Sequence, residues 1–88
     1  MKNNATTVNY PCEVFIKAIG KHSPDLKDTV FSIIKQHAPD LKDDAVQVKP
    51  SEKGNYLSVT VRMIAESKEQ QDKIYNALSE CQQILMTL

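Results

Sequence analysis

Four antiparallel strands covered on one face by two helices, in the order strand, helix, strand, strand, helix, strand, is the α+β fold that these 88 residues predict. Three observations carry that prediction. Leu57, Val59, Val61, Met63 and Ala65 alternate with Tyr56, Ser58, Thr60, Arg62 and Ile64, the period of a half-buried strand. Leu26, Val30, Ile33, Ile34 and His37 share one helical stripe, and Ile74, Ala77, Leu78 and Cys81 share another,. Each stripe follows a helix-start pattern, Ser23-Pro24-Asp25 for the first and Ser67-Lys68-Glu69-Gln70 for the second,.

Tyr10-Pro11 closes a flexible N-terminal arm, residues 1–10, and one domain fills 11–88. Over 12–19, Val14, Ile16 and Ala18 alternate with Glu13, Phe15 and Lys17, a strand that Gly20 is expected to end,. Ser23 then offers a hydroxyl cap, Pro24 a first helical residue without an N–H, and Asp25 a carboxylate for the positive end of the dipole,. Pro39 stops this helix, since the residue before a proline is pushed out of the α region. A polar connection over 40–44 leads to a short strand at Val46 and Val48, closed by Pro50. The stretch Ser51-Glu52-Lys53-Gly54-Asn55 is a hairpin loop with a glycine available for a positive φ,. After the second helix, Ile84, Met86 and Leu88 alternate with Leu85 and Thr87 as a last strand. Right-handed crossovers interleave the two split halves into a ferredoxin-like βαββαβ sandwich.

Composition narrows the function. Apolar residues at 41% and charged residues at 25% suit a globular chain,. Eleven cations balance eleven acids, so no net field draws the chain to nucleic acid or an anionic membrane. No apolar run approaches the length of a membrane span, and the first ten residues lack a secretion signal's apolar region,. The chain is therefore expected in the cytoplasm. Cys12 and Cys81 are too few and too far apart in sequence for a disulfide scaffold or a C-x-x-C site, and two reduced, partly buried thiols are expected.

Helices on one side leave the other sheet face open. Phe15, Lys17, Tyr56, Ser58, Thr60, Arg62 and Ile64 belong to that face, with Leu85 a further candidate. Apolar bulk beside polar neighbours marks Phe15, Lys17, Tyr56, Ser58, Arg62 and Ile64 as a candidate interface, and edge-to-edge pairing in a homodimer is another way to cover the sheet. Gly20, Lys21, His22 and Ser23 precede a helix N-terminus and form a candidate anion-binding loop,. The solvated Lys-His pair before a cap is the simpler account.

Catalytic versions of this topology need residues that are missing here. An acylphosphatase-like phosphate cradle needs an arginine in the first loop, yet Arg62 is the only arginine. Metal-binding versions need paired cysteines there. Single-stranded RNA binders stack bases on aromatics of both central strands. Val14-Phe15-Ile16-Lys17-Ala18-Ile19 and Lys53-Gly54-Asn55-Tyr56 loosely match their signatures, but Asn55 and Leu57 stand where third-strand aromatics belong. An RNA-binding module using Phe15 and Tyr56 is the alternative to a non-enzymatic regulatory or adaptor domain. No metal or cofactor is implied.

Tyr10-Pro11, Lys17-Ala18-Ile19-Gly20, His37-Ala38-Pro39, Ser51-Glu52-Lys53-Gly54-Asn55-Tyr56-Leu57-Ser58 and Met86-Thr87-Leu88 together resemble the bacterial YbeD family. The resemblance covers the chain from Tyr10 onward, and its most specific piece is Ser-x-Lys-Gly-Asn-Tyr-x-Ser. It implies a small cytoplasmic regulatory protein linked to lipoate, with a fold similar to the ACT domain and no catalytic residues. Partners implied are a protein or a small effector, and no membrane. ACT domains bind effectors near the loop from first strand to first helix, often at a dimer interface, and the matching stretch here is 20–26. His22-Ser23-Pro24-Asp25-Leu26 is similar to the ACT pattern acid-x-Pro-Gly-Leu, with His22 in place of the acid and Asp25 in place of the glycine. The first change removes the partner of a ligand amine, and the second restricts close backbone approach.

Overall fold

A computed structural model of the chain describes residues 9–88. Strands β1 (Cys12–Lys21), β2 (Val46–Pro50), β3 (Tyr56–Ala65) and β4 (Ile84–Thr87) form one antiparallel sheet in the order β2-β3-β1-β4. Helices α1 (Leu26–His37) and α2 (Lys68–Ser79) complete the predicted ferredoxin-like order. Of the predicted arm, residues 1–8 lie outside the described residues. Asn9 is exposed, and Tyr10 packs against the core with its hydroxyl on Gln71 Oε1.

The central pair follows from alternation. Cys12 pairs with Ala65 and Lys21 with Tyr56, so Ile16 and Ala18 lie beside Val61 and Val59 on one face. All four are wholly buried, as are Leu26, Val30 and Ile34 of α1 and Ile74 and Leu78 of α2. Burying an Ile, Leu or Val side chain contributes about 1.5–3 kcal/mol, so this layer holds the helices on the sheet. Ile33, His37, Ala77 and Cys81 complete the predicted stripes only as half-buried flanks. Both cysteines are free and half-buried.

Three local expectations are corrected. Gly20 does not end β1, which runs on to Lys21 with Gly20 buried and paired to both Leu57 and Ile84. The connection after α1 is not wholly solvated: Leu41 is buried, its N–H donating to the Ala38 carbonyl at 2.9 Å, before a single 3₁₀ turn at Asp43–Ala45. In β4 the alternation breaks. Met86 pairs with Ile19 but Ile84 pairs with Gly20, so Leu85 is an extra residue in a bulge,.

The helix starts also differ from one another. α1 begins at Leu26 rather than Pro24; Ser23 Oγ accepts the Asp25 N–H at 3.2 Å in a lead-in turn, and Asp25 makes no side-chain cap bond. α2 has the predicted cap, with Ser67 Oγ accepting the Gln70 N–H at 3.1 Å. The return bond reaches one residue further back than a capping box, from the Glu66 N–H to Gln70 Oε1 at 2.7 Å,. Gln70 Nε2 meanwhile donates to the His37 carbonyl at 2.8 Å, tying the start of α2 to the end of α1. Gln70→Ala removes both bonds, one at an exposed amide and one half-buried, and is expected to cost about 0.5–1.5 kcal/mol by urea denaturation,. Gln70→Glu keeps the acceptor but turns an oxygen on the His37 carbonyl, and should recover only part of that loss.

Candidate functional site

The strand register builds the open face. Pairs Glu13–Ile64, Phe15–Arg62, Lys17–Thr60, Ile19–Ser58 and Lys21–Tyr56 stand side by side across β1 and β3. On the β2 side Gln47 and Lys49 extend the Thr60 and Ser58 rows. On the β4 side Met86 extends the Ile19 row, and Leu88 extends the Lys17 row through two backbone bonds, 3.1 and 2.7 Å. The six residues predicted as an interface, Phe15, Lys17, Tyr56, Ser58, Arg62 and Ile64, therefore share one face.

That face is apolar and basic together. Phe15 is 61% exposed, Leu88 59%, Met86 54% and Ile64 52%. Among the described residues of this face, Lys17, Lys21, Lys49 and Arg62 stand against one side-chain carboxylate, Glu13, so its side chains are net basic although the whole chain balances. Arg62 Nε lies 3.9 Å from Glu13 Oε2 with both side chains about half exposed, a pair that solvent screening leaves nearly without weight. Sequence alternation alone would have found Ile19. Met86 and Leu88 were hidden by the bulge, which sets Leu85 instead against α2, beside Tyr75, Asn76 and Ser79. Phe15 and Tyr56 sit at opposite ends of the face, six residues apart along β3 by register, or about 20 Å. They form no shared stacking platform.

The residues of the predicted loop site point in different directions. Gly20 is in the core. Lys21 is at one end of the open face, opposite Tyr56. His22 is latched to the β2–β3 hairpin: its backbone N–H donates to the Asn55 carbonyl at 2.9 Å, and its Nδ1 sits 2.8 Å from the Gly54 carbonyl. A carbonyl can only accept, so Nδ1 carries a proton. Ser23 is occupied by the lead-in turn. The latch is a long-range contact that no local spacing signals.

Turn chemistry accounts for the hairpin loop. The Ser51 N–H donates to the Tyr56 carbonyl and the Gly54 N–H to the Ser51 carbonyl, both at 2.9 Å, and Gly54 has φ of 77°. Nothing lies within 4 Å of a Cβ built there, so Gly54→Ala is expected to cost about 1–2 kcal/mol from backbone conformation alone. Hydrogen exchange at the His22 amide should accelerate with it.

A groove of about 520 Å³ opens at the opposite end of the sheet. Ala38, Leu41, Ala45 and Met63 contribute apolar surface to it, and Arg62 and Ile64 of β3 border it. Among the described residues, no group of three or more His, Cys, Asp or Glu side chains is placed to hold a metal ion. No described helix is long and apolar enough to cross a membrane.

Residues 5–88 match a family model described as "Protein of unknown function (DUF493)". A UPF0250 protein of Paraburkholderia phymatum is 37% identical over 76 residues, 86% of this chain and 85% of its own. One from Neisseria gonorrhoeae is 34% identical over 87 residues, 99% and 96% of the two chains. Among solved structures, HP0495 from H. pylori aligns over 100% of this chain and 94% of its own, at a TM-score of 0.77 and 20% identity. The ACT domain of a Chlorobium tepidum GTP pyrophosphokinase aligns over 88% and 83%, at 0.67 and 8%. At these identities the two structures speak to the fold, and the fold they share is ferredoxin-like and ACT-like. By model, relatives and motifs together, the chain belongs to the DUF493 family, which is also the UPF0250 or YbeD family.

Proposed function

We propose that this chain is a regulatory adaptor that works by binding rather than by catalysing a reaction, and that it engages a protein partner through the open sheet face. The observation that carries the reading is the composition of that face: Phe15, Ile64, Met86 and Leu88 exposed among four cations and one side-chain carboxylate. Small-molecule sites are concave, whereas a sheet face presents the broad, mixed surface on which proteins dock. The excess of cations selects a partner with an acidic surface. The ACT-like fold supports a regulatory role. The YbeD resemblance adds a link to lipoate, which a protein partner docked on this face would bring.

The test compares the full chain with a Phe15→Asp, Met86→Asp variant in affinity capture from bacterial extract. Both residues are exposed, so the variant is expected to keep its circular dichroism spectrum and melting temperature while losing at least tenfold of the captured partner. Equal capture by both proteins overturns the open face as the interface. Amide NMR titrations with lipoate, octanoate, mixed amino acids and a short RNA test the small-ligand arm. Shifts at Lys17, Ile19 and Met86 with lipoate or octanoate make the lipoate link direct rather than brought by the partner. Shifts confined to residues 20–26 move the effector to the loop, and RNA shifts with steep salt dependence favour the nucleic-acid alternative.

A further inference from the structure

The two central strands are longer than their outer neighbours. β2 pairs with β3 only from Leu57 to Val61, so among the described residues Arg62 to Ala65 have no strand beside them on that side. The reason is local. Continuing the ladder would bring the Ala45 N–H to the Arg62 carbonyl, but the 3₁₀ turn bends that N–H back onto the Lys42 carbonyl at 3.1 Å.

Antiparallel alternation fixes which backbone groups face the gap. The Ser51 N–H bonds to the Tyr56 carbonyl, so Tyr56, Ser58, Thr60, Arg62 and Ile64 direct their backbone groups to the β2 side. Ile64 therefore turns both its N–H and its C=O into the groove, where no described strand pairs with it. A bare strand edge is a template for another extended segment. This one is bordered by a ready-made groove.

The groove also states what the segment should look like. A strand laid along Arg62 to Ala65 would place alternate side chains on the helix side, against the apolar surface of Ala38, Leu41 and Met63,. Charged groups around the groove are Glu13, Asp40, Asp44 and Glu66 against Lys42 and Arg62, an excess of acid. That is the reverse of the open face.

We propose that the free edge of β3 at Arg62 to Ala65 is a strand-addition site for an extended peptide of a partner, alternating apolar and basic residues. The peptide residue opposite Ile64 exchanges two backbone bonds with it, its neighbours bury apolar side chains beside Leu41 and Met63, and its basic groups stand on Ile64's side of the strand, at a border where Glu13, Asp40, Asp44 and Glu66 outnumber Lys42 and Arg62. The site adjoins the open face at Arg62 and Ile64 but does not need Phe15 or Met86, neither of which borders the groove.

The test is an amide NMR titration of the full chain with an acetylated, amidated hexapeptide alternating lysine and valine. A glutamate–valine counterpart and a lysine–valine peptide broken by a central proline serve as controls. Binding is expected to shift the Ile64 amide and slow its hydrogen exchange at least tenfold, with neither control doing so. Asp40→Lys with Asp44→Lys, both exposed in the loop, should weaken the lysine–valine peptide at least fivefold. Ile64 exchange unchanged at millimolar peptide overturns the proposal, as does equal binding of the glutamate–valine peptide. Protection of Ile64 that rises with protein concentration alone would assign the edge to a second copy of this chain and overturn it too. Met86→Asp, on the far side of β1 from the groove, should leave peptide binding unchanged, which separates failure here from failure of the open-face interface.

Discussion

Gly20→Ala is expected to destabilise the domain by about 3 kcal/mol, lowering its melting temperature by about 12–24 °C for a chain of this size. A Cβ at this position would lie 2.3 Å from the Gln83 backbone carbonyl and 3.1–3.2 Å from the two methyls of Leu26. The methyls can move by a few tenths of an ångström. The carbonyl cannot, because the segment that carries it feeds directly into β4, where Ile84 pairs with Gly20 itself. The sign is what makes the measurement informative. Replacing a strand glycine by alanine ordinarily helps by about 0.5–1 kcal/mol, since the unfolded chain has less entropy to lose. A thermal melt followed by circular dichroism decides between the two. An unchanged or raised melting temperature would show that β4 does not approach β1 this closely. Loss of β4 would in turn remove Met86 and Leu88 from the open face, so the same glycine supports the candidate site.

Features carried by local spacing were legible in the residues. The alternation from Leu57 to Ala65, the stripe of Leu26, Val30 and Ile34, and the Ser67–Gln70 pair all report interactions between residues two to four apart. The six interface candidates followed from the same alternation and share a face as expected. Other features depend on residues distant in sequence, and no local pattern encodes them. Gly20 reads as a strand end until Gln83 is placed against it. His22 reads as a solvated loop residue until the hairpin carbonyl of Gly54 meets it. Leu41 sits in a run of charged residues, and only the packing of the loop across the core buries it. The bulge at Leu85 exchanges which β4 side chains reach the open face, a change that one extra residue makes without any mark in composition,. The free edge of β3 required two strand lengths to be compared, and its cause is a turn of three residues, Asp43–Ala45.

Ile16→Asp is expected to unfold the domain, whereas Phe15→Asp, one position earlier, is expected to stay folded. The two residues are neighbours on β1 and point to opposite faces,. Ile16 is wholly buried in the layer with Val61 and the helices. Its replacement forfeits the burial of an isoleucine side chain, about 1.5–3 kcal/mol, and places a carboxylate where nothing can hydrate it. Burying a polar group without a partner costs about 2–7 kcal/mol more. A domain of this length has about 4–13 kcal/mol of stability in all, so a combined loss of about 3.5–10 kcal/mol, larger still for an ionised carboxylate, takes most or all of it. Phe15 is 61% exposed, beside Arg62 across the strand pair. An aspartate there keeps its hydration and faces a guanidinium, and the expected change is within about 0.5 kcal/mol. Urea titration of the two variants, side by side, reads the difference as a missing transition for Ile16→Asp and a wild-type midpoint for Phe15→Asp. The contrast bears on function as well as fold. If the phenylalanine can be replaced by a charge at no cost to the folded state, packing is not what keeps a large aromatic ring in water at that position. A ring there then acts through what docks on it. A Phe15→Asp variant that unfolds instead would make the ring part of the core and withdraw it from the interface.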